Sequence, residues 1–558
     1  MSASILSMKC LRRCGGLWSY CRITCLRYQQ KRFLQEKIAL PEADFEKDNK
    51  GRLIAPVIRP LPKGVDLDPE MIKECRNDPQ RYPKHHAGLM HPDKVPHLPK
   101  LMVKNARQLL AEKDLISNAL LKESMNRLKE IYSKRQPPID RRIIAAKTEA
   151  IEEEMFTAYI EKRNINFEEL KDDEKDRLKR KVQNMATRTC KATTHNWKPI
   201  EYKDYAGLVY MASRLTLNYT VLYRIFYEIN KLDKDFSPHA VLNVGSGTGS
   251  AVWAANKIWA DEVYEYYNVD TSTYMNDLAR KLLSKDIRNP LELVMNGVNF
   301  RQSLPSPKHK ENKFPLVVSA YLLLEQPSME ERLNLISLLW DLTDNYLVLV
   351  EHGTTAGYQL ILEAREMIFK LRAEYPEIEG HVFSPCTHEK VCPKLQLWKS
   401  PCTFSIEYRR LNIDEEFGQG DSKLLERYSY VVLKKGKKKE DKRFPRLTGV
   451  LHKTNHSHCH LCCPDGTLRQ FVFTEQKPSR NLFKCIKRCS PGDFIPMPWP
   501  ETDVDNDSEN ITTDNSENIT SDNSENITTE NSENIDYIEQ NTDKEEVEND
   551  ENVDDNLK

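Results

Sequence analysis

No run of 18 or more apolar residues occurs in the 558-residue chain, which argues against a helix that crosses a membrane on its own. Acid is missing from the start as well. No Asp or Glu precedes Glu36, while arginines are frequent, and this composition predicts a mitochondrial transit peptide over residues 1–37. Its four thiols, Cys10, Cys14, Cys21 and Cys25, then belong to a removable leader and not to a metal cluster. A secretory signal is lacking too, so the 14 cysteines are expected as free thiols or metal ligands more than as a disulfide framework. Net charge is almost absent at -1, but this is a cancellation. Residues 501–558 hold 21 acidic and 2 basic side chains, which leaves residues 1–500 with an excess of 18 positive charges. A body that basic suits a polyanion such as RNA, against the plainer reading of a solvated lysine-rich surface.

The acidic end has few apolar or aromatic residues. SENIT recurs at Ser508, Ser516 and Ser524, and SENID at Ser532, an eight-residue period that cannot bury enough surface to fold. It is expected to be a disordered acidic tail over 501–558, with the sequons Asn510, Asn518 and Asn526 as by-products of the repeat.

Between these ends, residues 38–190 read as a Pro- and His-rich extended arm followed by a basic helical domain, with apolar residues at helical spacing from Pro99 onward. From Tyr205 short apolar strands alternate with helical stretches. HAVLNVG, EYYNVD, PLVVSAYLLL and YLVLVEHGT each precede helical sequence, which predicts a mostly parallel sheet covered on both faces. CTFSIEYRR and ERYSYVVLKK are expected as an antiparallel pair closing that sheet. The α/β domain is placed at 191–440, with a metal-binding loop at 384–402, and a β-rich appendix at 441–500.

VLNVGSGTGSA sets Gly245, Ser246, Gly247, Thr248 and Gly249 between a buried strand and a helix. Such a turn lets backbone approach a ligand, and Asp270, ending the next strand, is placed to accept ribose hydroxyls or to cap a helix. The Gly-x-Gly-x-Gly spacing resembles the S-adenosylmethionine-dependent methyltransferase fold, a Rossmann-like α/β arrangement. Two departures count against chemistry. Asn243 stands where many such enzymes carry an acid, and Ser319, Ala320 and Tyr321 replace the Asn- or Asp-Pro-Pro-aromatic motif of amino-directed enzymes. No general base or nucleophilic cysteine is evident at that strand end, so no catalytic residue is assigned.

FSPCTHEKVCPKLQLWKSPCTFSIEY gathers Cys386, Cys392 and Cys402 without apolar periodicity. A fourth ligand would come from SHCHLCCPDG, through Cys459, Cys462 or Cys463, or from His458 or His460; Cys485 and Cys489 are weaker candidates. On spacing alone, zinc and an iron–sulfur cluster are comparable. The glycine turn, PLVVSAYLLLEQPS, the cysteine loop and HCHLCCPDG, in that order over residues 95–498, resemble the mitochondrial methyltransferase-like protein 17 family of small-ribosomal-subunit assembly factors. The resemblance implies binding to the immature mitochondrial small subunit and its rRNA in the matrix, alongside other assembly factors and without membrane insertion. It also implies a 4Fe-4S cluster on Cys386, Cys392, Cys402 and Cys462, and a methyltransferase fold kept without clear catalysis, S-adenosylmethionine being an optional ligand.

Overall fold

The computed structural model describes residues 65–500 apart from segments 79–83, 93–95, 113–116, 194–196, 307–311, 397–399, 412–422 and 439–443 and residues 164, 166 and 477. The expected transit peptide and the acidic repeat tail lie outside the described residues, as does the arm before residue 65.

From Val65 the arm is packed. Asp68 caps α1 (Pro69–Asn77), its Oδ1 accepting the N–H groups of Glu70 and Met71 at 3.0 and 3.4 Å. Val65, Leu67, Met71 and Leu89 are buried in the core of the C-terminal appendix, so this stretch is not the extended arm its prolines suggest. Proline and histidine density reports local backbone restriction and says nothing of distant apolar partners.

Four helices follow: α2 (Lys100–Ala111), α3 (Asn118–Lys134), α4 (Arg141–Arg163) and α5 (Asp172–Ala192). Leu178, Val182, Ala186 and Cys190 recur every four residues to make the buried stripe of α5. Leu121, Met125, Leu128 and Tyr132 of α3 pack on Val209 and Ala212 of α6 (Asp204–Leu232), a helix about 43 Å long at 1.5 Å per residue. Because α6 is apolar nearly all round, it runs buried beneath its neighbours.

The sheet domain then alternates β1 (Ala240–Val244), α7 (Ser250–Trp259), β2 (Glu265–Val269), α8 (Thr273–Leu283), a hairpin of β3 (Ser284–Asp286) and β4 (Asn289–Leu293), β5 (Val298–Arg301), β6 (Phe314–Ala320), α9 (Met329–Leu342), β7 (Thr343–His352), α10 (Thr355–Glu374), β8 (Gly380–Ser384), β9 (Phe404–Arg409) and β10 (Lys423–Lys435). Strand order is β5-β2-β1-β6-β7-β10-β8. The strands from β5 to β7 are parallel, and β10 runs antiparallel to β7, β8 and β9. One reversed strand slotted in near the end of a parallel sheet is the S-adenosylmethionine-dependent methyltransferase arrangement of the Rossmann-like α/β class, as expected from the alternation. The sequence reading missed β5 and β8, both short and lacking a long apolar run.

Alternate side chains feed opposite faces. Val241, Leu316, Val318, Val348 and Val432 join the core under α6 and α7, while Leu242, Val317, Leu347, Leu349 and Val431 join the one under α9 and α10. Each fully buried side chain of this kind contributes roughly 1.5–3 kcal/mol. The appendix is an antiparallel meander of β11 (Arg446–His452), β12 (His456–Cys462) and β13 (Leu468–Thr474), closed by α11 (Arg480–Ile486). Cys485 and Cys489 lie in its core, as structural thiols do.

Candidate functional site

Two places in the fold collect chemistry, the glycine turn after β1 and the thiol loop after β8. All three glycines of the turn occupy the left-handed region, with φ of +68° at Gly245, +50° at Gly247 and +74° at Gly249. Any other residue there is strained. A Cβ on Gly245 would also come 3.1 Å from Leu322, whereas on Gly247 it would meet the Tyr210 ring at 3.5 Å. The turn is tied to β2: Gly245 and Ser246 donate their N–H groups to the Val269 carbonyl at 2.9 and 3.1 Å. Gly247 donates to Asp270 Oδ2 and Ser272 to Asp270 Oδ1, each at 2.9 Å.

Asp270 therefore organises the turn with both oxygens while keeping lone pairs for further donors. Burial raises its pKa, and the two N–H groups oppose the rise. Asn243, at the position that many methyltransferases fill with an acid, donates its amide to Asn268 Oδ1 at 3.0 Å across the β1–β2 pair. It is a strand tie. Ser246 Oγ is buried without a hydrogen-bond partner, and so are Ser319 Oγ and the Tyr321 hydroxyl at the end of β6. Thr248 Oγ1 is 3.2 Å from Ser250 Oγ. Orphaned hydroxyls beside a glycine turn and a carboxylate fit a polar ligand such as S-adenosylmethionine.

Beyond β6 the space is filled by rings of the chain itself. Tyr132 stacks on His352 at 4.6 Å, Tyr321 lies 4.8 Å from the same imidazole, and Arg214 covers Tyr321 at 4.4 Å. The Tyr132 and Tyr202 hydroxyls are 2.6 Å apart, and Tyr202 packs on Tyr210 at 4.8 Å. Sequence reasoning missed this cluster because its members come from separate helices and strand ends. Nothing in their local spacing marks them.

The thiols converge from three segments. Cys386 and Cys392 sit in the loop after β8, Cys402 lies just ahead of β9, and Cys462 ends β12. Burial pushes the Cys386, Cys402 and Cys462 thiols up. For Cys402 the effect is increased by Cys392 and Cys386, and for Cys462 by Cys386, Cys402 and Cys392. The backbone brings the loop and the hairpin together, Thr387 Oγ1 donating to the Cys462 carbonyl at 3.3 Å. The Tyr358 hydroxyl of α10 donates to Cys392 Sγ at 3.3 Å, and His388 Nε2 lies 3.4 Å from Cys462 Sγ. Arg365, also on α10, donates to the carbonyls of His388 and Lys390 at 3.3 and 2.7 Å, and its charge draws Cys386 back down against burial.

Strand alternation separates the candidates for the fourth thiol. Cys459 and Cys462 are three residues apart on β12 and so face opposite sides. Cys459 is wholly buried in the appendix core, where burial alone lifts it to about 12, and Cys463 returns to that core. His458 and His460 alternate on the partly exposed face, and no loop thiol bears on either of them as Cys386, Cys402 and Cys392 bear on Cys462. The hairpin turn beyond Cys462 abuts the loop, since a Cβ on Gly466 would come 2.8 Å from the Lys390 side chain.

Among the described residues no set of three or more His, Cys, Asp or Glu side chains is arranged around a single metal ion. A four-iron cube is different, because each iron takes one thiolate and the sulfurs stand apart. Four buried or half-buried thiols, two of them contacted by a hydroxyl and an imidazole and one by a guanidinium, fit that donor set in kind.

A family model described as mitochondrial small ribosomal subunit Rsm22 matches residues 204–496, more than half of the chain. The chain belongs to this family. The human mitochondrial ribosome assembly protein METTL17 is 37% identical over 342 residues, covering 61% of this chain and 73% of its own length. The Rsm22 match spans the glycine turn, all four loop and hairpin thiols and most of the appendix. Among solved structures, the magnesium protoporphyrin IX methyltransferase of Synechocystis is 12% identical, with a TM-score of 0.25 over 42% of this chain and 86% of its own. The plantazolicin methyltransferase BpumL is 11% identical, with a TM-score of 0.26 over 53% and 100%. The fold assignment rests on the strand order and not on these two.

Proposed function

We propose that this chain is an assembly factor of the mitochondrial small ribosomal subunit, working in the matrix with other assembly factors. It binds the immature subunit and its rRNA, carries a 4Fe-4S cluster on Cys386, Cys392, Cys402 and Cys462, and does not act mainly by methyl transfer. The observation that supports the cluster is that the thiol loop lies against the hairpin that carries Cys462, 60 residues beyond Cys402: Thr387 Oγ1 donates to the Cys462 carbonyl at 3.3 Å and His388 Nε2 lies 3.4 Å from Cys462 Sγ. A bound cluster would supply a covalent clamp between the sheet domain and the appendix, with Arg365 offsetting part of its negative charge. RNA binding is supported by the 18 excess positive charges of residues 1–500 and by the similarity to a human ribosome assembly protein. The aromatic packing of Tyr132, Tyr321 and His352 beyond β6 favours a binding role, since it fills the strand end where a methyl acceptor would be presented.

Iron and sulfide analysis of anaerobically purified protein tests the cluster, with about four of each per chain expected. Zinc at one per chain without sulfide would overturn it. A second reading, an S-adenosylmethionine-dependent rRNA methyltransferase, is favoured by the orphaned Ser246 Oγ and by Asp270 at the glycine turn. Gly247→Arg drives a long side chain toward Tyr210 and blocks the turn. Cells carrying it are expected to assemble small subunits, whereas failed assembly with loss of one mapped rRNA methyl mark would support the enzyme.

A further inference from the structure

We infer that a cleft between the arm and the C-terminal half of α6 is a single-stranded RNA site that holds one nucleotide's phosphate and stacks its base. This rests on the RNA binding proposed above and assigns it a place. The cleft has a volume of about 480 Å³ and is lined by His85, Leu89 and His91 of the arm, by Tyr227, Asn230 and Lys231 of α6 and by Lys234 just past its end. That volume lies within the range of small-ligand pockets.

No carboxylate lines it. Asp493 of the appendix, which meets the arm here, is turned inward: it accepts the N–H groups of Met90, His91 and Ser490 at 2.6, 3.2 and 2.7 Å and pairs with His91 Nδ1 at 2.7 Å. Asp233, between the two lysines, pairs with Lys434 at 2.5 Å on the other side. These two acids are thus turned to internal partners, and Lys231 and Lys234 give the lining its positive charge. Lys231 donates to the Leu89 carbonyl at 2.5 Å, which fixes the floor, and Lys234 is exposed at the rim.

Aromatic rings lead out of the cleft. Tyr219, Tyr223 and Tyr227 stand four residues apart on one face of α6, with successive centroids 6.1 and 6.4 Å apart and planes within 30° and 26°. Tyr219 is buried, but Tyr223 and Tyr227 are partly exposed, so the ladder offers a platform beside the lysines. Positive side chains along a backbone path next to stacked rings are the pattern of proteins that take single strands without strong sequence preference. A duplex would find no such platform, and an acidic peptide would use the charges but leave the rings idle.

The test uses the full chain and a fluorescent single-stranded uridine decamer, with binding followed by anisotropy between 50 and about 300 mM salt. Tyr227→Ala is expected to weaken binding about tenfold while Tyr227→Phe does not. Lys234→Gln, at an exposed position, is expected to lower the salt slope by about one. Replacing uridine by 4-thiouridine and irradiating should cross-link the peptides that carry Tyr227 and His85 to His91. RNA bound equally by all variants, with cross-links elsewhere, would overturn the site and leave the RNA-binding reading intact. No RNA binding even at 50 mM salt would overturn both. Displacement of RNA by a polyglutamate peptide whose own affinity is insensitive to Tyr227→Ala but sensitive to Lys234→Gln, with RNA affinity indifferent to Tyr227→Ala, would assign the cleft to an acidic protein segment instead.

Discussion

Arg446 and Glu228 form a bidentate ion pair, 2.7 and 3.1 Å long, with each side chain only 1% exposed. It joins the first strand of the appendix to α6 of the core. Glu228 also accepts from Ser384 Oγ at 2.6 Å, the Tyr430 hydroxyl at 2.9 Å and Arg224 Nη1 at 2.5 Å. Arg446 is the register partner of Cys462 on β12, and Ser384 stands two residues before Cys386. One buried carboxylate thus fixes both halves of the thiol site, before any metal is considered.

Glu228→Gln should therefore destabilise the protein by about 3–5 kcal/mol, because Arg224 and Arg446 are left as uncompensated buried charges. Burial by itself would raise the Glu228 pKa, but Arg446 and Arg224 outweigh it and hold the group at about 2, against 4.5 for a free glutamate. The stabilisation is present above pH 4.5 and is lost as pH falls through about 2, an effect of about 3 kcal/mol. Urea midpoints of wild type and Glu228→Gln across pH 5 to 2 should converge; parallel curves would mean that the pair contributes little.

Glu351 has the opposite sign. It closes β7, where its Oε1 accepts the N–H groups of Leu323 and Leu324 at 2.7 and 3.2 Å while Oε2 is buried without a partner. Burial raises it to about 7 despite those two donors. Its contribution is complete below pH 4.5 and is lost as pH rises through 7. Glu351→Gln keeps an acceptor for both N–H groups and cannot ionise, so it should match wild type near pH 4.5 and exceed it by about 3 kcal/mol at pH 8. Equal urea midpoints at pH 8 would rule this out.

Local sequence carried the glycine turn, because three left-handed residues between a strand and a helix require glycine and leave a readable spacing. Cysteine content likewise revealed the loop. Spacing alone left Cys459, Cys462, Cys463, His458 and His460 open as partners of the loop, with only the family resemblance pointing to Cys462, since which face of β12 meets the loop is a fact of tertiary packing. Glu228, Arg224 and Arg446 left no local trace at all. A glutamate and two arginines in a chain that is 30% charged look like surface until the fold closes over them. The packed arm was missed for the same reason, its partners lying some 400 residues away in the appendix, as in the bond from Met90 N to Asp493.

Variants of Asp270 need care as probes of cofactor use. Asp270→Ala removes the acceptors of the Gly247 and Ser272 N–H groups, and loosening the turn should cost about 1–3 kcal/mol with or without a ligand. Thermal denaturation of the purified variant, compared with Asp270→Asn, which keeps one acceptor, separates that loss from any effect on S-adenosylmethionine binding. An unchanged melting temperature in Asp270→Ala would show that the carboxylate is free for a ligand.

A serine scan of the thiols distinguishes clamp from core. Cys462→Ser, Cys386→Ser, Cys392→Ser and Cys402→Ser should each lower bound iron and sulfide sharply and weaken binding to immature small subunits, because in the proposed cluster each would remove one ligand joining loop to hairpin. Cys459→Ser and Cys463→Ser should keep the iron. Instead they place a hydroxyl among Leu461, Phe471 and Phe473 in the appendix core and lower stability by about 1–3 kcal/mol. Iron content read beside urea midpoints sorts the six variants, for a ligand loses metal first and a core residue loses stability with its metal still bound. Iron retained in Cys462→Ser but lost in Cys459→Ser or Cys463→Ser would move the fourth ligand to the other face of β12 and would require the hairpin to turn over when the cluster binds.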